Sequence, residues 1–171
     1  MRIVMDADAL IKLTRAGAKE AMAAVFDVVL PEAVQRETTS DRFPDGLLIA
    51  QNIQRGRLQV HVVREVPLEA AVLPEGGERD VFALHRSLGD PAARIVSDDR
   101  RLIKRLAMLS TPAWTPGVVL VALVERGGVS RAQARRWLEA LRATVSADEY
   151  VACSAALEEG IGGGRDPGSS A

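Results

Sequence analysis

The sequence predicts an α/β fold in which a largely parallel β-sheet is flanked by helices, with a helical C-terminal third. Short, continuous apolar runs alternate with longer amphipathic segments, which is typical of parallel strands buried on both faces and of the helices that cover them. Glycine or proline stands at the ends of many of these segments, where chain breaks are expected. The 171 residues are 47% hydrophobic and 26% charged, an ordinary composition for a globular chain with its own core.

Five apolar runs are predicted to be strands because they are short and bounded by turn or charged residues. The third alternates in polarity and the fifth is short, whereas the others are nearly uninterrupted. The predicted strands are RIVM (residues 2–5), DVVLPE (27–32), RLQVHVV (57–63), ARIVS (93–97) and AWTP (113–116).

The segments between and after these strands have helical spacing of their apolar residues. Gly17, Gly56 and Gly89 are expected to end helices, as glycine commonly does. Two serines followed three residues later by Gln or Glu have the spacing of a capping box. The predicted helices lie within residues 7–17, 19–26, 32–39, 43–56, 74–90, 100–109, 116–128, 130–143 and 146–159.

The composition also limits the domain organisation and the location of the protein. One domain is expected over residues 1–159, followed by a Gly-, Pro- and Ser-rich tail at 160–171 that is predicted to be disordered. The single cysteine, Cys153, excludes a disulfide framework. A net charge of −1 gives no global basic field, and without a leader or membrane-length apolar run we expect a cytoplasmic protein with no membrane contact.

Acidic residues follow several predicted strands. Asp6 comes directly after the first strand, and Asp98 and Asp99 follow the fourth, while Glu37 and Glu78 lie on the helices after the second and third. Each acid alone has an ordinary role as a turn, cap or solvated helix residue. In a parallel sheet, however, they emerge at one edge, where ligands bind. Carboxylates crowded there, without sulfur ligands, suit Mg²⁺ or Mn²⁺.

The ordered set of these motifs, including GERDVFAL and IVSDDRRLIKRLA, resembles the PIN-domain ribonucleases, and most closely their VapC-type toxins. The resemblance covers roughly residues 1–145 and implies a Rossmann-like, three-layer α/β fold. It also implies metal-dependent endoribonuclease activity by four catalytic acids, which are also metal ligands. Carried over to this sequence, they are Asp6, Glu37, Glu78 and Asp99.

One position differs from the commonest family pattern, and at another the pattern leaves two candidate residues. Glu78 stands where many family members carry Asp. Ser97 and Asp99 match the family's Ser/Thr, variable residue, Asp motif, which leaves Asp98 in the variable place as a further candidate metal ligand.

The resemblance also implies partners. An RNA substrate is expected, with Arg100 and Arg101 near its phosphates. VapC-like proteins pair with a small antitoxin and commonly form homodimers. Apolar residues of the first helix, from Leu10 to Leu13, and of the C-terminal third are predicted to be exposed and to form such an interface.

Two alternatives remain open at this stage. Asp6 and Asp8 form an Asp-x-Asp pair that resembles haloacid-dehalogenase-like phosphatases, but none of the lysines precedes the later acid pair at the spacing that family requires. The chain could also be a catalytically degraded PIN-fold interaction module. Metal binding and the choice between RNA and a small phosphoester distinguish these readings.

Overall fold

The computed structural model describes residues 1–39 and 44–159, so the predicted tail at 160–171 lies outside the described residues. A five-stranded sheet forms the centre, in the order β3-β2-β1-β4-β5, and every neighbouring pair is parallel. The predicted α/β fold is confirmed. The strands are β1 (Arg2–Met5), β2 (Asp27–Pro31), β3 (Leu58–His61), β4 (Arg94–Val96) and β5 (Ala113–Trp114).

Nine α-helices flank the sheet within the described residues, and each falls inside a segment predicted to be helical. The prediction missed a 3₁₀ turn at Leu68–Val72, which follows Pro67. The helices are α1 (Ala7–Arg15), α2 (Lys19–Val25), α3 (Glu32–Thr38), α4 (Pro44–Gln54), α5 (Gly77–Leu88), α6 (Arg100–Met108), α7 (Pro116–Glu125), α8 (Arg131–Leu141) and α9 (Ala147–Glu159).

The central strand β1 is buried on both faces. Ile3, Val4 and Met5 are inaccessible to solvent, as are Val81 and Phe82 of α5. Each such side chain contributes about 1.5–3 kcal/mol of transfer free energy relative to an exposed position. This burial explains why β1 is a continuous apolar run without alternation, and it fixes where Asp6 leaves the sheet.

The prediction that α1 exposes an apolar interface is wrong, because Leu10 and Leu13 are completely buried. α1 packs against α2, α3 and α4, and against α7 and α8 of the C-terminal third, which covers its apolar face. In the C-terminal third, Val151 of α9 is 65% exposed. Other exposed apolar side chains occur around the 3₁₀ turn, where Leu68 is 90% exposed and Val62 and Val72 are more than half exposed.

Helices α8 and α9 begin as the serine spacing predicts, but only half of each capping box forms within the described residues. Ser130 accepts the backbone N–H of Gln133 at 3.2 Å, whereas the Gln133 side chain accepts from Arg136. Ser146 accepts the backbone N–H of Glu149 at 3.2 Å. The Glu149 carboxylate does not return to its own helix end. It accepts the N–H of Gly117 at 2.7 Å and so caps α7 instead, which ties α9 to α7.

The order of the strands reverses direction at one point in the sheet. From β1 the chain proceeds outwards through β2 and β3, and then returns to the other side of β1 with β4 and β5. The order therefore reverses between β1 and β4, and the crevice beyond the carboxyl ends of these two strands is where ligands bind in open parallel sheets. Across the described residues, no helix combines the length and apolar character needed to cross a bilayer.

Candidate active site

A cavity of about 250 Å³ opens at the carboxyl end of the sheet, beside the point where the strand order reverses. The lining is dominated by carboxylates from separate elements and from the segment before α5. The residues are Asp6, Ala7, Asp8, Glu37, Pro74, Glu75, Gly77, Glu78 and Asp99. The structure therefore brings four of the five predicted metal-ligand residues together.

Asp6 is fixed where β1 turns into α1. Its Oδ1 accepts the N–H of Ala7 at 2.8 Å, and its Oδ2 accepts the hydroxyl of Ser97 at 2.8 Å. Burial raises the pKa of Asp6, and the charges of Asp8 and Asp99 raise it further, against the opposing effect of the two hydrogen bonds. A cation placed here would offset this cost of ionisation.

Asp99 is fixed in the same way at the start of α6. Its Oδ1 accepts the backbone N–H groups of Arg101 at 2.6 Å and Leu102 at 3.2 Å. The backbone N–H of Asp99 donates to the Ser97 hydroxyl at 3.1 Å. One buried serine thus connects the two aspartates, and the helix caps leave the second oxygen of Asp99 free of a hydrogen bond within the described residues.

Glu37 reaches the cavity from α3. A Cβ on Gly77 would lie 3.3 Å from Glu37 Oε1, so the missing side chain at the start of α5 leaves room for this carboxylate. Burial raises the pKa of Glu37, and the charges of Asp6 and Asp8 add to the effect. Glu37 therefore lies within electrostatic reach of the acids at the end of β1.

Glu78 lies in the first turn of α5. Its Oε2 is shielded from solvent and makes no hydrogen bond within the described residues. The nearby cation is Arg105 of α6, whose Nη1 lies 3.6 Å away, which is an ion pair but too long for a hydrogen bond. Burial and the charge of Asp99 raise the pKa of Glu78, whereas Arg105 lowers it.

Asp98 is directed away from the cavity. Its carboxylate pairs with the ammonium group of Lys12, which also donates to the carbonyl of Thr144 at 2.8 Å. Asp98 and Arg100 line a separate cavity of about 100 Å³, and Arg100 faces Asp148 at 3.5 Å. The structure therefore does not bring Asp98 or Arg100 to the acidic cluster. Arg101 is exposed on α6.

Sequence reasoning missed several contributors to the site. Asp8 and Glu75 line the cavity, and Arg105 pairs with Glu78, although none was predicted as a site residue. The Asp-x-Asp spacing of Asp6 and Asp8 was noted in the sequence, but only for the phosphatase alternative. Nothing in the sequence marks Arg105 apart from its cationic neighbours, because its selection depends on how α6 lies against α5.

The donor set fits a hard divalent cation, because the cavity offers carboxylate oxygens and the shielded Glu78 Oε2 has no hydrogen-bond partner within the described residues. As placed, however, no three His, Cys, Asp or Glu side chains among the described residues stand close enough to hold a metal ion. Asp6 and Asp99 are held by helix ends, whereas the longer side chains of Glu37 and Glu78 accept no hydrogen bond within the described residues, so these two are the side chains free to adjust to a cation.

The fold and the site together define a parallel α/β protein with an acidic cavity where the strand order reverses. A family model described as a PIN domain matches residues 2–152, and the chain therefore belongs to the PIN-domain family. PIN domains are generally nucleases and typically use divalent metals. Comparisons with curated proteins and with solved structures returned no significant match.

Proposed function

We propose that the protein is a Mg²⁺- or Mn²⁺-dependent endoribonuclease whose catalytic acids are Asp6, Glu37, Glu78 and Asp99. The observation that carries this proposal is the convergence of these carboxylates, from four separate elements, on one cavity at the sheet's ligand-binding edge. Burial raises the pKa of Asp6, Glu37 and Glu78, and the charges of the neighbouring acids raise it further, as expected for clustered carboxylates without a cation.

The residues divide into two roles in this proposal. Asp6 and Asp99, oriented by Ser97 and by the helix ends, supply fixed ligands, and Glu37 and Glu78 complete the shell from α3 and α5. A bound divalent ion would activate a water molecule and stabilise charge on the scissile phosphate. No side chain is required as a covalent nucleophile, so Asp6 acts as a ligand.

We further propose the partners that the VapC-type resemblance implies. An RNA strand would approach along α6, where Arg101 and Lys104 are exposed. The exposed apolar side chains around the 3₁₀ turn, including Val62, Leu68 and Val72, are a candidate surface for a small antitoxin or for homodimer formation. Sedimentation at micromolar concentration, with and without a co-expressed partner, tests both assemblies.

The central experiment compares substrates and variants. Wild-type protein should cleave single-stranded RNA in Mn²⁺, lose the activity on chelation, and leave a small phosphomonoester intact. Asp6→Ala should abolish RNA cleavage. Asp8→Ala should have a much smaller effect, since the phosphatase alternative requires this residue as an acid and the nuclease does not. Phosphomonoester turnover lost in both variants, with RNA left intact by wild type, would contradict the nuclease proposal.

A further inference from the structure

Helix α6 carries a basic face that starts beside the acidic cavity. Arg101 and Arg105 are four residues apart and lie on the same side of the helix, with Lys104 next to them. Arg101 and Lys104 are exposed and make no ion pair or side-chain hydrogen bond with any residue in the described ranges. Arg105 differs from both, because it is directed towards Glu78.

The ion pair between Arg105 and Glu78 is loose, and the Glu78 oxygen that faces Arg105 has no hydrogen-bond partner among the described residues. The two groups are 3.6 Å apart, and the Glu78 side chain is 28% exposed while that of Arg105 is 38% exposed. Glu78 Oε2 itself is shielded from solvent and accepts no hydrogen bond within the described residues. The guanidinium therefore compensates the charge of Glu78 without satisfying its oxygen.

A divalent cation at the cavity would compete for the same oxygen. It brings a second positive charge close to the guanidinium, so the two cations repel while both attract Glu78. The guanidinium can leave at little cost, because a partly exposed ion pair without a hydrogen bond is weak. Once displaced, Arg105 lies on the same helix face as Arg101, at the edge of the cavity.

We propose that Arg105 is an exchangeable counter-ion of the candidate active site: it pairs with Glu78 until a divalent cation takes that carboxylate, and it then binds a phosphate of the RNA strand. This inference rests on the proposed metal-dependent ribonuclease function. Its consequence is that metal and RNA binding are coupled through one side chain, so that each strengthens the other.

The first measurement is metal binding without RNA, by the Mn²⁺ concentration that gives half-maximal thermal stabilisation. Arg105→Gln should lower that concentration by about two- to fivefold, because it removes the competing cation. Lys104→Gln is the matched control, since it removes one neighbouring charge that makes no contact with Glu78. When Glu78→Gln is already present, adding Arg105→Gln should no longer change the Mn²⁺ concentration for half-maximal stabilisation. Thermal midpoints in chelator establish that each variant folds.

The second measurement is the affinity for a single-stranded oligonucleotide with 2′-deoxy sugars, by fluorescence anisotropy with and without Mn²⁺. Wild type should bind more tightly when Mn²⁺ is present. Arg105→Gln should lose most of this gain, whereas Lys104→Gln should weaken binding by a similar factor in both conditions. This pattern separates a metal-dependent phosphate contact from a constant one.

Two different failures can be told apart. If wild type gains no stability from Mn²⁺, the proposed function fails and this inference fails with it. The exchange of Arg105 is contradicted if wild type gains stability from Mn²⁺ but Arg105→Gln shifts the Mn²⁺ midpoint no more than Lys104→Gln does. It is also contradicted if Arg105→Gln keeps the full Mn²⁺-dependent gain in oligonucleotide affinity. In both cases the proposed metal site is unaffected.

Discussion

Ser97 shows how one side chain can organise two ligands. Its hydroxyl donates to Asp6 and accepts the N–H of Asp99, and the residue has no solvent exposure. The sequence supplied its place in the Ser-x-Asp motif but not this bridge, because Asp6 lies 91 positions away along the chain. A parallel pairing of β1 with β4 is needed before the contact exists.

Replacing Ser97 by alanine is expected to destabilise the protein by about 1 kcal/mol, since two part-buried hydrogen bonds are lost. RNA cleavage should fall further than stability accounts for, because Asp6 and Asp99 lose their common orientation. Urea unfolding and cleavage at saturating Mn²⁺ measure the two effects. Ser87→Ala, which removes a single helical hydrogen bond to Leu84, is the control. Equal activity in the two variants would contradict the bridging role.

The adjacent residues Asp98 and Asp99 are predicted to have different roles: Asp98 stabilises the fold and Asp99 binds metal. Asp99→Ala should abolish Mn²⁺-dependent stabilisation. Asp98→Ala should retain it and instead lose about 1–3 kcal/mol of stability, because Lys12 loses its carboxylate partner and keeps only the carbonyl of Thr144. Lys12→Ala should cost a similar amount, and the double variant should lose less than the sum. Calorimetric Mn²⁺ titration and urea unfolding decide. Loss of Mn²⁺ binding in Asp98→Ala would show that Asp98 is a metal ligand.

At the scale of elements, parallel strands made much of the site predictable. Because β1 and β4 are parallel, Asp6 and Asp99 leave the sheet at the same edge. The continuous apolar runs of the sequence were enough to predict this arrangement. The direction of Asp98 was not predictable, because it depends on Lys12, 86 residues earlier. Likewise, the capping spacing predicted the start of α9 but not that Glu149 would cap α7.

The two glycines before and within α5 should respond oppositely to substitution. Gly76 has φ 109° and ψ −151°, a conformation that alanine avoids, so Gly76→Ala should cost about 1–3 kcal/mol. Gly77 has no such conformation, but its added Cβ would lie 3.3 Å from Glu37 Oε1. Gly77→Ala should therefore preserve or raise stability and weaken Mn²⁺ binding. A Gly77→Ala variant with unchanged Mn²⁺ affinity would show that Glu37 does not need this space.

For the whole molecule, the acidic cavity couples folding to pH and to metal. Asp6, Glu37 and Glu78 have pKa values raised above those of ordinary carboxyl groups. Well below the ordinary value, the groups are protonated in both the folded and unfolded chains, and they do not affect stability. Between the ordinary and the raised pKa, the folded chain binds more protons, so stability falls as pH rises and stays reduced above the raised value.

Glu37→Gln removes one of these groups without removing a hydrogen bond within the described residues. In chelator, its thermal midpoint relative to wild type should increase as pH rises from just above the ordinary carboxyl pKa towards neutrality. Glu32→Gln, on the same helix and outside the cavity, should show no such increase. With Mn²⁺ the order should reverse at neutral pH, because the cation binds the ionised carboxylates of wild type and stabilises the folded chain. If the thermal midpoints of Glu37→Gln and wild type differ by the same amount at every pH, with and without Mn²⁺, then Glu37 neither interacts electrostatically with Asp6 nor binds the same cation.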